Sequence, residues 1–115
     1  MNPYIYPGII DIKTLSIKNN ISIEKIEQTI ITHYNITLND LYSKSRVKIY
    51  KEPRQICMYL IRKFVLGMTY DKIAKHYNKN HATVIWACKR IKGYLEVDKE
   101  FIKDYKILES KLIDL

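Results

Sequence analysis

The chain has 115 residues, enough for one domain with a short appendage and too few for a nucleotide-driven machine. Its 20 Lys and Arg exceed 12 Asp and Glu, for a net charge of +8, and 47% hydrophobic residues can fill a core. Two cysteines 31 positions apart, no apolar run longer than Ile56 to Ile61, and the signal-free start MNPYIYPGII exclude a secreted miniprotein and a membrane protein.

Residues 1–21 read as an irregular segment, punctuated by Pro3, Pro7 and Gly8, with Tyr4 and Tyr6 able to pin it to the domain that follows over 22–115. Ser22 is an N-cap, and Ile23, Ile26, Ile30 and Ile31 recur at helical spacing to about Tyr34. Thr37 and Asp40 form a capping pair that opens one short turn, Leu38 to Tyr42. Ser43 to Arg54 carries five bases, one acid and no apolar period, so a loop is expected there, with Pro53 in the first turn of the next helix. That helix puts Ile56, Leu60 and Phe64 on one stripe and stops at Gly67. Thr69 caps a short helix to about Tyr77, Asn78 to Asn80 makes a turn, and a long helix runs from His81 to about Leu95. Asp98 caps a last helix with Phe101, Ile102, Tyr105, Leu108 and Leu112 inward. The expected fold is all-α, a bundle of about five to six helices.

The charge is concentrated. Residues 44–92 hold thirteen bases against two acids, Glu52 and Asp71, while both flanks are slightly acidic. A basic block spread over several elements points to a polyanion-binding face rather than to a membrane-surface helix. Within it lies the spacing of a helix-turn-helix. Ala74 is the small residue that lets a second helix cross, Asn78 tolerates positive φ in the turn, and Val84 anchors the second helix. On a wheel centred on Val84, Cys88, Ile91 and Leu95 fall within about 40°, with Ala87 to one side. The opposite side presents Ala82, Thr83, Trp86, Lys89, Arg90 and Gly93, short and polar first and basic further along. A helix that enters a major groove by its N-terminal turns needs that layout.

Three stretches carry a family resemblance: DLYSKSR (Asp40 to Arg46), PRQICMYLIRK (Pro53 to Lys63) and NHATVIWACKRI (Asn80 to Ile91). Over roughly residues 22–113 the chain resembles the C-terminal DNA-binding domain (domain IV) of DnaA, the bacterial replication initiator. The resemblance implies a Trp-repressor-like helical fold. In it the helix-turn-helix reads the major groove of double-stranded DNA, and the basic loop reaches phosphates and the adjacent minor groove. It implies a free-standing relative without the ATPase motor, since Gly8, Gly67 and Gly93 build no phosphate-cradling loop. The MNPYIYPG segment is similar to small DnaA-like proteins of phages and mobile elements. Asn80 stands where the family has Asp, Ala82 where it has Ser or Thr, and Trp86 where it has His. A recognised sequence different from the family's usual one follows.

Carried onto this chain, the resemblance makes Arg46 the minor-groove reader and His81 and Thr83 base-edge contacts, beside Asn80 and Ala82. Lys44, Lys48, Lys51 and Arg54 are expected at phosphates, which position a protein without reading sequence, and Lys79 is expected to touch DNA beside them. Lys89 and Arg90 are expected as phosphate clamps. Gln55 either reaches DNA or caps its helix, and Trp86 either packs on sugar or a thymine methyl or covers the N-terminal tyrosines. Tyr34, Tyr59, Tyr70 and Tyr77 are expected at the core rim. His33, His76, His81, Cys57 and Cys88 form no close ligand pair, so no metal, cofactor or catalytic site is expected, nor any small-molecule substrate. The expected function is sequence-specific binding of double-stranded DNA in replication initiation or mobile-element regulation, one monomer per site, in the cytoplasm. The alternative is a protein-interaction module that keeps the fold and has lost specific DNA binding.

Overall fold

The computed structural model describes residues 21–113, and the expected anchors Tyr4 and Tyr6 lie outside them. The described residues form six helices and no strand. α1 spans Ile23–Tyr34, α2 Leu38–Tyr42, α3 Lys48–Phe64, α4 Tyr70–Tyr77, α5 His81–Val97 and α6 Lys99–Leu112. The all-helical expectation holds.

Local chemistry sets most of the boundaries. Ser22 Oγ accepts the Lys25 amide at 3.2 Å and starts α1, which ends at Asn35 in the left-handed region (φ 54°). Both halves of the Thr37–Asp40 capping box are made, at 2.9 and 3.1 Å. Thr69 Oγ1 accepts the Lys72 amide and Asp98 Oδ1 the Phe101 amide, so each expected cap is in place. Asp98 is also the residue that ends α5, which makes the α5–α6 joint a single residue.

The loop expected over Ser43 to Arg54 is a correction. It is confined to residues 43–47, because α3 begins at Lys48. The Val47 carbonyl accepts the amides of Tyr50 and Lys51 at 3.0 and 2.9 Å, which starts the helix without a side-chain cap. Pro53 is therefore inside the helix rather than in its first turn. A helical proline forgoes one backbone bond and crowds the preceding turn. Here Pro53 and Arg54 are both buried, so tertiary packing holds a turn and a half that apolar periodicity does not announce. At its other end α3 stops at Phe64, three residues short of Gly67, which takes φ 77° in the turn that follows.

α3 is the axis of the bundle. It packs against α1, α2, α4 and α5, and α6 closes the remaining side against α1 and α5. Ile26, Ile30, Leu41, Ile56, Leu60, Phe64, Ile73, Val84, Ile91, Leu108 and Leu112 are fully buried. Each such side chain contributes about 1.5–3 kcal/mol through burial. Ile21, one residue before α1's cap and outside any helix, also joins this core. On α6, Tyr105, Leu108 and Leu112 point inward as expected, while Phe101 and Ile102 are half-buried. Tyr77 is buried, and Tyr34, Tyr59 and Tyr70 pack partly buried against the core.

Candidate nucleic-acid interface

α4 and α5 pack as a helix-turn-helix. Ala74 is buried at their crossing, and Val84 is fully buried beneath α5. Asn78 takes φ 53° and ψ 48°, the left-handed conformation that its residue type tolerates. Its amide returns to the Lys75 carbonyl at 3.2 Å, and the Lys79 amide returns to Ala74 at 2.8 Å. The turn therefore closes without glycine.

α5 divides as its wheel predicts. Val84, Ala87, Cys88 and Ile91 are buried, Leu95 is half-buried, and His81, Ala82, Thr83, Trp86, Lys89 and Gly93 are exposed. Asn80 caps the helix. Its Oδ1 accepts the Thr83 amide at 2.8 Å and also the Thr83 hydroxyl at 3.0 Å. Asn80 therefore turns its amide group, a donor, away from the helix, and the Thr83 hydroxyl proton is committed to Asn80 while its oxygen can still accept. His81 Nδ1 lies 2.5 Å from Asp71 Oδ1. Trp86 is 59% exposed, and the Arg90 guanidinium carbon lies 5.6 Å from its ring centre. Arg90 also donates through Nε to the Tyr94 hydroxyl at 3.0 Å, which holds the side chain along the helix.

A cleft of about 360 Å³ runs between the 43–47 loop, the start of α3 and the start of α5. Lys44, Arg46, Lys51, Gln55, Lys79, Thr83 and Trp86 line it, over an apolar floor that includes Met58 and Ala87. Burial and the nearby cations Arg54, Lys44 and Arg46 pull the Lys79 ammonium below its ordinary pKa. Like charges held this close favour an anion between them. Gln55 is well inside α3, so it lines the cleft and does not cap the helix. Lys48 faces a different cleft, beside Glu52, whose carboxylate lies 4.0 Å away. Asn80, His81, Ala82 and Lys89 stand outside the cleft's lining, along the exposed side of α5 and its cap, while Arg90, expected on that side, is half-buried against Tyr94.

Arg54 corrects the expectation of a phosphate contact. It is 6% exposed, and its guanidinium donates to three backbone carbonyls and one hydroxyl. The acceptors are Leu41, Ser45 and Asp40 in the backbone and the Ser43 Oγ. Arg54 thus shapes the loop that carries Lys44 and Arg46. Sequence reading missed this because a buried arginine and an exposed one look alike when their acceptors are carbonyls.

A second unforeseen feature is a polar cluster behind the interface. The buried Glu27 carboxylate accepts from Tyr77 at 2.7 Å, from Tyr42 by a shorter bond, and lies 3.1 Å from His76 Nε2. The Tyr77 hydroxyl also meets Cys57 Sγ at 3.0 Å. These contacts tie α1, α2, α3 and α4 together. Glu27 was legible in principle, because it lies between Ile23 and Ile30 on the apolar stripe of α1. Both cysteines are ordinary buried thiols: burial pushes Cys57 up to about 12 and Cys88 to about 11. Among the described residues no group of three His, Cys, Asp or Glu could hold a metal, and no helix is long and apolar enough to cross a membrane.

Residues 23–91 match the family model of the bacterial dnaA protein helix-turn-helix, more than half of the chain. The chain belongs to the DnaA helix-turn-helix family. It is 34% identical over 110 residues to the chromosomal replication initiator protein DnaA of Bacteroides thetaiotaomicron, covering 95% of this chain and 22% of that protein. The DnaA of Buchnera aphidicola is 37% identical over 98 residues, covering 81% of this chain and 21% of the relative. The DnaA of Limosilactobacillus reuteri is 38% identical over 96 residues, covering 83% and 22%. The chain thus spans about a fifth of the length of these DnaA relatives. The family match covers α1 through Ile91 of α5, so the cleft and the helix-turn-helix both fall within it.

Proposed function

We propose that the chain binds double-stranded DNA sequence-specifically, with the N-terminal turns of α5 in the major groove and the 43–47 loop at the adjacent minor groove. The observation that carries this is the cleft. It sets Lys44 and Arg46 of the loop and Lys79 of the helix-turn-helix turn around Thr83 and Trp86 of α5. A duplex offers phosphates on either side of each groove at that scale, and an α-helix fits a major groove about 12 Å wide. Arg46 is exposed and serves as the minor-groove reader, and Lys44, Lys51 and Lys79 serve as phosphate contacts. Lys48 reaches a more distant phosphate, and Lys89 and Arg90 clamp the backbone further along α5. Asn80, His81, Ala82 and Thr83 meet base edges, and Trp86 packs on a sugar or a thymine methyl. Gln55 reaches the DNA from the cleft wall. The chain works in the cytoplasm, one monomer per site, in replication initiation or in the regulation of a mobile element.

Selection of bound duplexes from a random pool, followed by gel shifts over a salt series, tests the reading. A preferred sequence is expected, with log K falling against log salt at a slope of roughly −4 to −7 for about five to eight neutralised phosphates. Binding with a slope near zero removes the polyanion argument. No shift even at low salt points instead to a protein-interaction module on the same fold.

A further inference from the structure

We propose that Asp71 is a positioning residue for His81 and thereby sets sequence preference at one base pair, an inference that rests on the DNA-binding reading above. Residues 44–92 contain thirteen bases and two acids, and Asp71 is one of the two. The other, Glu52, sits 4.0 Å from Lys48. A carboxylate beside a helix that approaches phosphates weakens binding by repulsion unless it contributes something specific.

Its contact is specific. Asp71, in the first turn of α4, reaches across the turn of the helix-turn-helix to His81, the first residue of α5. Asp71 Oδ1 lies 2.5 Å from His81 Nδ1. An ionised carboxylate only accepts hydrogen bonds, so Nδ1 carries the proton. Nε2 is then the nitrogen left to meet another molecule. The Tyr70 ring stands edge-on to the imidazole, 6.1 Å between centres at 82°, and bounds it on a second side. The Arg62 guanidinium carbon lies 4.8 Å from the Tyr70 ring centre and braces that ring. His81 therefore has a fixed ring, a fixed tautomer and an outward Nε2 before any ligand arrives. The side chains of His81 and Asp71 remain 52% and 70% exposed, so the ring is open to a base edge. A pair this exposed contributes little to stability, so replacing Asp71 leaves the fold intact.

Two measurements test the assignment. The first needs no DNA: long-range proton–nitrogen NMR of the free protein. It is expected to find the His81 proton on Nδ1, and Asp71→Ala is expected to release that preference. A neutral imidazole with its proton on Nε2 in the unmodified protein overturns the proposal, whatever the DNA results. The second compares the unmodified protein with Asp71→Ala, His81→Ala and the double variant. Each is tested on the selected duplex, on single-base-pair variants of it and on random duplex. Asp71→Ala and His81→Ala are expected to lose about tenfold discrimination at the same base pair, with the double variant no worse than His81→Ala. If Asp71→Ala instead tightens every duplex alike, Asp71 is only a repelling charge and the proposal is wrong. Losses at different base pairs, or losses that add, also overturn it. If the unmodified protein itself shows no sequence preference, the functional reading fails together with the DNA half of the proposal, while the NMR result still decides the Asp71–His81 half.

Discussion

The Arg54 guanidinium donates through Nε to the Leu41 carbonyl at 2.7 Å, reaching from α3 back to α2 beneath the loop that carries Lys44 and Arg46. With its bonds to Ser45 and Asp40 at 3.0 and 3.1 Å, it closes residues 40–45 into one framework. Tyr42 fastens the same stretch from the other side through Glu27 and His76. The loop next to the cleft is therefore held from beneath by Arg54 and Tyr42 as well as by the local turns of its own Ser43 and Ser45.

Arg54→Lys keeps the charge and loses the planar fork. It should lower stability by about 1–3 kcal/mol, since several backbone acceptors lose their donor. It should also erase the preference read by Arg46 while changing the salt slope by less than about one unit. Thermal unfolding and salt-dependent gel shifts measure both. A slope reduced by a full unit, with an unchanged melting temperature, would make Arg54 a phosphate contact after all.

Arg46 and Lys51 both line the cleft but should fail differently. Arg46→Ala is expected to cost about 1–3 kcal/mol on the preferred duplex and to relax preference for its A·T-rich flank. Lys51→Ala should weaken all duplexes alike and flatten the salt slope by about one unit. Equal, sequence-blind losses from both would show that Arg46 reads nothing.

Asn80 spends its Oδ1 on Thr83, which leaves its amide as a donor toward DNA. An asparagine with both side-chain atoms available pairs best with adenine; with Oδ1 occupied, only a donor contact remains. Asn80→Asp replaces the donor by acceptors, and Ala82→Thr adds a hydroxyl. Together they should move preference at one or two major-groove positions by about 1–3 kcal/mol per base pair toward the sequence the family usually recognises. Repeating the selection on the double variant checks this. An unchanged selected sequence would remove both residues from base reading.

Stability should fall in alkali and be insensitive to these groups near neutrality. Burial is the main cause that raises Cys57 from 9.0 to about 12 and Cys88 to about 11. It also raises the hydroxyls of Tyr34, Tyr42, Tyr77 and Tyr105 above 10.0. A folded state that disfavours the ionised form is fully stabilised below the unfolded pKa and loses stability as pH rises above it. Each of the two buried thiols removes about 1.4 kcal/mol per pH unit across that interval. Urea midpoints at pH 8, 10 and 11 should therefore drop steeply after roughly pH 9. A flat profile to pH 11 would contradict the buried thiols.

The caps were legible because capping is local. Ser22, Thr37, Thr69, Asn80 and Asp98 each satisfy an amide three residues on, and their side-chain types announce it. The helix-turn-helix was legible for the same reason, since Ala74, Asn78 and Val84 each meet a steric demand at a fixed offset. The wheel of α5 likewise separated buried Val84, Cys88 and Ile91 from exposed Thr83, Trp86 and Lys89. By itself, then, the sequence determined six helices, every start but that of α3, the turn at Asn78 and a basic block spread over several elements.

Tertiary structure alone decided which polar groups were spent inside the protein. Arg54 resembled the other loop cations until the carbonyls of residues 40, 41 and 45 were brought beneath it. The first turns of α3 carry a proline and no apolar period, so only packing could place their start at Lys48. Asp71 meets His81, and Glu27 meets Tyr42, Tyr77 and His76, because helices cross, not because of any spacing along the chain. A cap is read from residues three apart. A partner that arrives from another helix leaves no mark on the sequence beside it.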